Sequence, residues 1–253
     1  MKTSEQWVNH FKENLQTKRI DWRQHATISE KEMAVVLSSL QAWQLGETSD
    51  GQHLLKASKK YAANIGDAFY VRAVELFIKE EQKHGNNLGK YLDIINQPRI
   101  KKNWGDTLFR KIRYMQSSME LWTIAVITVE SAAQLYYQSL KTATHCQLLK
   151  QICTDILMDE APHIEFQRER LSIIFQSKTN AGRNIAYPFY RFFFLTTTLV
   201  VWIAHKKVFA AGGMDFKKYF MKMMHKSAKT IRRLQPDLNE IHLSGNLTNI
   251  IQN

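Results

Sequence analysis

The sequence predicts an all-α protein: an antiparallel four-helix bundle with additional N- and C-terminal helices. Three observations predict it. Only 10 Gly and 4 Pro punctuate 253 residues, too few turn-formers for an all-β sandwich or barrel, which needs a turn about every 8 to 12 residues. Apolar residues recur at three- and four-residue steps over long stretches, as one face of a helix requires. No Pro/Ser/Gly-rich linker divides the chain, so residues 1–240 are expected to form one domain, with a polar tail over 241–253. A composition 44% hydrophobic and 23% charged supports a sizeable core and excludes the disordered and fibrous classes.

The elements follow in order. A short amphipathic helix is expected from about Ser4 to Thr17, then a connecting stretch through Ile28. Ser29 and Glu32 form a capping box that opens a helix with Met33, Val36, Leu37, Leu40 and Trp43 on one apolar stripe. Gly46 and Gly51 weaken this helix by about 1 kcal/mol each relative to Ala, and it is expected to resume and reach Ile65. Gly66-Asp67 marks the next stop and start. A second long helix runs from Asp67 to about Ile95, with Phe69, Val74, Phe77, Ile78, Leu88, Leu92 and Ile95 in helical register. Asp106 is the candidate cap of a third stretch reaching about Thr142, nearly all apolar from Met119 to Val129, and a fourth spans about Cys146 to Gln176. Four segments of roughly 30 residues, each about 40 to 50 Å long if fully helical, match a bundle whose core covers residues 29–176.

Charge is concentrated beyond the bundle. Lys178 to Arg233 holds twelve Lys and Arg against one acid, Asp215, so most of the net +12 lies there. Within this part, basic C-terminal helices are expected over about 186–234. Phe192 to Ala204 is uncharged for 13 residues, short of the roughly 20 a membrane-spanning helix needs. Lys218, Lys222, Lys226, Lys229 and Arg233 then form one stripe of a basic amphipathic helix. A field of this kind points to an anionic partner, a membrane surface or RNA, with a solvated surface as the plain alternative. Cys146 and Cys153 are too few for a disulfide framework or a four-cysteine metal site and are expected to be buried thiols. The N-terminal stretch lacks the apolar core of a secretory signal, so a cytoplasmic location is expected, with peripheral membrane attachment as a variant of it.

The chemistry is carried by Glu81-x-x-His84 and Glu160-x-x-His163, each placing a carboxylate and an imidazole on one helical face. One such pair is a weak signal; two are better. Glu130 lies inside the apolar run TIAVITVESAAQLYY, where burying an unpaired carboxylate costs several kcal/mol and something cationic must compensate. Glu47 precedes Glu81 by 34 residues and Glu130 precedes Glu160 by 30, so both halves of the chain repeat one plan. Four carboxylates and two neutral imidazoles balance two divalent cations and suit iron or manganese.

This set resembles the ligands of the ferritin-like di-iron carboxylate proteins, among them rubrerythrins, ribonucleotide reductase small subunits and O2-activating hydroxylases. The resemblance covers about Ser29 to Gln176. It implies that Glu47 and Glu130 are the single-helix carboxylates, that His84 and His163 are the nitrogen ligands, and that Glu81 and Glu160 are the carboxylates able to bridge. It implies two iron ions, with manganese or a mixed Mn/Fe pair as alternatives. It also implies O2 or peroxide as co-substrate, and a homodimer as a candidate assembly. The expected activity is that of a di-iron oxidoreductase, an oxidase or monooxygenase acting on an organic substrate. With no four-cysteine electron-transfer domain, an external ferredoxin or flavin reductase is expected to supply electrons. Peroxide reduction or iron handling, and a helical protein with a relict site, are the competing readings.

Two features depart from the plainest pattern. Pro162 lies inside the second ExxH and is expected to kink or bulge its helix. Gly46 makes Glu47 the least secure of the six. Glu32 is better used as a capping residue than as a ligand. Glu75, Glu80, Asp159, Glu165 and Glu169 are expected at the surface or behind the ligands. Tyr136 and Tyr137 are expected to pack, with a redox or substrate-side role as the alternative. The remaining histidines, His10, His25, His53, His145, His205, His225 and His242, show no paired spacing.

Overall fold

The computed structural model describes residues 1–108 and 118–234. Eight helices are bounded within them: α1 (Ser4–Gln16), α2 (Glu30–Glu47), α3 (Gln52–Ile65), α4 (Ala68–Ile94), α5 (Met119–Ala143), α6 (Gln147–Gln176), α7 (Asn180–Ala211) and α8 (Phe216–Leu234), and residues 104–108 are helical as well. The expected polar tail over 241–253, including His242, lies outside the described residues. Helix α1 opens on a capping box between Thr3 and Gln6, and α2 opens on the one formed by Ser29 and Glu32. The Glu32 carboxylate also accepts a hydrogen bond from the His145 backbone N–H at 2.6 Å, tying the start of α2 to the α5–α6 connection.

The bundle proper is α2, α4, α5 and α6. Helix α2 packs along α4, α5 packs along α6, and α4 meets α6. The three-residue link between α5 and α6 forces an antiparallel pair. Helix α1 lies against α4, and α7 and α8 cover α5 and α6. One apolar cluster fills the α2–α5–α6–α7 side, including Leu40, Tyr136, Tyr137, Ile152, Phe194 and Phe209; a second, with Trp7, Phe11, Tyr70, Phe77 and Phe166, fills the space under α1. Cys146 and Cys153 are free and buried in the first.

Four expectations need correction. The stretch from Ser29 to Ile65 is two helices, because α2 ends at Glu47 and Gly51 adopts φ +66°, a left-handed conformation that breaks the helix and favours glycine. The third bundle helix starts at Met119, with Ser118 at its N-cap position and no side-chain capping bond, while Asp106 lies within a separate helical stretch over 104–108. Helix α6 runs through Pro162 without interruption. The carbonyl of Met158 that loses its donor belongs to a residue 55% exposed, where water can replace the hydrogen bond. Finally, the uncharged 13-residue run sits inside a helix of 32 residues, which by length and composition alone is long and apolar enough to cross a bilayer. One face of that helix, with Tyr190, Phe194, Val201, Val208 and Phe209, is nevertheless buried in the protein core.

Candidate metal centre

The six residues singled out in the sequence come from four helices. Glu47 is the last residue of α2, Glu81 and His84 stand on α4, Glu130 on α5, and Glu160 and His163 on α6. Glu47, His84, Glu130, Glu160 and His163 are buried, and Glu81 borders the cavities described below. One ligand atom from each of Glu47, His84 and Glu160 lies within 4.8 Å of the others. His163 Nδ1 is 2.7 Å from Glu81 Oε1 and 3.9 Å from Glu160 Oε2, while His84 Nδ1 is 3.9 Å from Glu160 Oε1. Glu160 thus stands between the two imidazoles.

The imidazoles are aimed by their other nitrogens. His84 Nε2 is 3.0 Å from Asp159 Oδ2, and His163 Nε2 is 2.7 Å from Glu80 Oε2. A carboxylate acceptor makes each Nε2 an N–H donor and turns Nδ1 inward. The arrangement is crossed: the acid preceding each ExxH holds the histidine of the other helix. Asn14 on α1 donates from its one amide nitrogen to both Glu80 and Asp159, at 2.8 Å each. Arg19 Nη1 and Lys83 Nζ add contacts to Asp159 at 2.7 and 2.9 Å. Phe77 packs edge-on against His163 at 4.8 Å, with Phe11 at 5.9 Å, so the ring has little freedom to turn.

Burial drives the Glu47 and Glu160 carboxyls well above the ordinary carboxylate range, and the neighbouring carboxylates push them further. Burial pushes Glu81 the same way, but the His163 and His84 charges outweigh it and bring it to about 2. Burial opposes charge on His163, yet Glu81 and Glu80 hold its pKa well above the ordinary value.

The donor set fits such a cation. Among the described residues, no Lys or Arg pairs with Glu47, Glu81 or Glu160, and Glu81 Oε1, both Glu160 oxygens, His84 Nδ1 and His163 Nδ1 are buried without a hydrogen-bond partner. His163 Nδ1 and Glu81 Oε1 nonetheless approach to 2.7 Å, the distance of an ion pair. Buried groups of this kind are otherwise satisfied, and carboxylate oxygens with imidazole nitrogens match iron or manganese.

A cavity of about 140 Å³ opens onto Glu47, Glu81 and Glu130 and is otherwise mostly apolar, with Trp43, Val126, Val129, Phe193 and Val201 in its walls. A second, of about 80 Å³, shares the same three carboxylates. His205, which shows no paired spacing in the sequence, lines the larger cavity; its Nδ1 is 3.0 Å from Ser39 Oγ, and burial draws it down to about 4, so it is neutral. Tyr137 is fully buried and donates to Glu47 Oε1 at 2.9 Å, and Tyr136 stacks on Trp43 at 4.8 Å. Glu80 and Asp159, which hold the two imidazoles, are residues the sequence did not separate from ordinary carboxylates. The available signal was an acid directly before each ExxH. His205 and Asn14 had no such signal.

No family model matches the sequence, and no curated protein matches it. Solved structures match its fold. A variant of an R2-like ligand-binding oxidase with an aerobically reconstituted Mn/Fe cofactor is similar over 92% of this chain and 92% of its own, at TM-score 0.64 and 16% identity. Another variant of that oxidase, with an Fe/Fe cofactor, matches at TM-score 0.62 and 15% identity over 91% and 93%. The dimanganese(II)-NrdF of Streptococcus sanguinis matches at TM-score 0.68 and 14% identity over 91% and 87%. Over nine-tenths of its length, the chain has the ferritin-like helical fold of the R2-like oxidases and of the ribonucleotide reductase small subunit.

Proposed function

We propose that the chain is a dinuclear metal carboxylate enzyme, an O2-using oxidase or monooxygenase acting on an apolar organic substrate. The convergence of five buried ligand atoms without a hydrogen-bond partner, from two residues on α4 and two on α6, supports this reading most directly, with Glu47 and Glu130 closing the set. Glu47, Glu81, His84, Glu130, Glu160 and His163 would hold two iron ions, or a manganese or mixed Mn/Fe pair; such pairs stand in the similar structures. When bound, the metals supply the redox chemistry with O2.

The chain's own residues do the rest. Glu80 and Asp159 fix the imidazole tautomers, and Phe11 and Phe77 keep water from His163. Tyr137 holds a proton against Glu47 Oε1. The apolar walls of the cavity orient a substrate beside Glu47, Glu81 and Glu130. Electrons would come from a ferredoxin or flavin reductase, and the chain would assemble as a homodimer. The apolar cavity favours an organic substrate over peroxide reduction or iron handling, which need no such chamber.

Elemental analysis of protein purified without added metal, with Glu130→Ala/His163→Ala beside it, is the first test. About two iron or manganese atoms per chain, lost in the variant, are expected, followed by O2 uptake with reductant. No metal after anaerobic Fe(II) reconstitution overturns the proposal; turnover with peroxide or Fe(II) alone replaces it with the detoxifying alternative.

A further inference from the structure

The groove between α5, α6 and α8 gathers more positive charge than the protein neutralises. Arg168 on α6 is 7% exposed. Its Nε donates to Thr230 Oγ1 at 2.9 Å and its Nη2 to the Lys226 carbonyl at 3.4 Å. Among the described residues no carboxylate forms an ion pair with it. Lys222, Lys226 and Lys229 of α8 line the same groove, about 570 Å³ in volume, with Gln134 and Gln138 of α5 beside them. Lys226 Nζ is hydrogen-bonded to Gln134 Oε1. Burial, then the charges of Arg168 and Lys229, draw its ammonium down to about 8. The acid in the groove, Glu165, is engaged by Arg233 at 2.7 Å.

Buried charges in proteins are paired or bind a counter-ion, because an unpaired one costs several kcal/mol. Here one buried guanidinium and three ammonium groups share a concave site in which the single acid is already paired. A lone carboxylate ligand would leave most of that charge uncompensated, whereas a phosphate monoester brings a charge of about −1.5 to −2 and three acceptor oxygens.

We infer that this groove is a binding site for a phosphate monoester group, held by Arg168 and Lys226 at its buried end and by Lys222 and Lys229 at its exposed rim. The group arrives on a soluble molecule or on the headgroup of a lipid, and in either case the same four cations receive it. The site lies on the outer side of α6, where Ala161 and Ile164 flank the groove, and it requires nothing of the metal centre.

Inorganic phosphate titrated calorimetrically into the full chain at constant ionic strength, with chloride as the balancing anion, tests this. Saturable binding of one phosphate per chain and a rise in Tm are expected. Lys222→Ala/Lys229→Ala, at two exposed positions, should bind at least tenfold more weakly while keeping the wild-type Tm in chloride. Arg168→Met should abolish binding; because it is buried, the rim variant carries the decision if that protein does not fold. Vesicles of phosphatidylcholine with and without phosphatidic acid separate the sources. Capture by phosphatidic acid that free phosphate reverses assigns the lipid headgroup, and saturable phosphate binding without capture assigns a soluble ligand. No saturable binding to the wild type, equal binding to the rim variant, or displacement only by an RNA oligomer overturns the inference.

Discussion

Replacing Glu80 by Gln isolates the role of a carboxylate that stands behind the proposed metal ligands. The Glu80 side chain is fully buried, with Oε2 2.7 Å from His163 Nε2 and Oε1 accepting from Asn14 Nδ2 at 2.8 Å. The amide is the same size but offers one acceptor oxygen, so it serves either His163 or Asn14 and turns an N–H toward the other. It also removes the negative charge that makes the imidazole a better donor to a cation. Loss of such a supporting group typically weakens metal affinity about 10- to 100-fold, or about 1.4 to 2.7 kcal/mol. Because His84 is held by Asp159, the loss should fall on one metal position of two. Anaerobic titration with Mn(II) or Fe(II), followed calorimetrically, should show one step weakened and the other unchanged. Glu75→Gln, on the same helix in a surface pair with Arg72, should alter neither step. Both steps unchanged within about twofold, or an equal effect from Glu75→Gln, would refute the reasoning.

Tyr137→Phe removes the hydroxyl that donates to Glu47 and should lower the urea midpoint by an amount equivalent to about 1–3 kcal/mol, with an unchanged slope. Gly85→Ala would place a Cβ 2.8 Å from Thr48 Cγ2 and 3.0 Å from the Glu47 backbone; the resulting displacement of the end of α2 should cost about 1–3 kcal/mol and reduce metal per chain by elemental analysis. Burial raises the Glu32 carboxyl, but hydrogen bonds from the His145 and Ser29 backbones and the Ser29 hydroxyl outweigh it and bring it from 4.5 to about 2. A depressed value contributes stability above pH 4.5 that is lost as the pH falls toward 2. Glu32→Gln should therefore cost about 1 kcal/mol at pH 7, and chemical denaturation at pH 6, 4 and 3 should show the gap to wild type closing.

Residues with a local signature were legible in the sequence. The two ExxH pairs declare themselves because one helical turn fixes their geometry, and Glu130 because a carboxylate in an apolar run needs a partner. The Ser29–Glu32 box located the start of α2 to a residue. The end of α2 was harder: Gly46 stays helical while Gly51 turns left-handed, and composition does not distinguish them. Pro162 misled for a related reason, since the effect of a missing N–H depends on whether the orphaned carbonyl faces water. Asn14 and His205 are beyond any local pattern. Each acquires its role from residues more than sixty positions away, which only the packing of α1 and α7 brings near.

The crossed support of the two histidines bears on the order in which the protein is made. Asn14 leaves the ribosome early, but its two carboxylate partners follow 66 and 145 residues later. Until α6 has been synthesised, His84 lacks Asp159, and Glu80 has no imidazole to hold. A nascent chain that has exposed only α4 thus presents one loosely oriented Glu-His pair, a poor trap for stray cations. On the proposed function, metal loading would belong to a chain in which α6 has been made, because both histidine contacts need a residue of that helix.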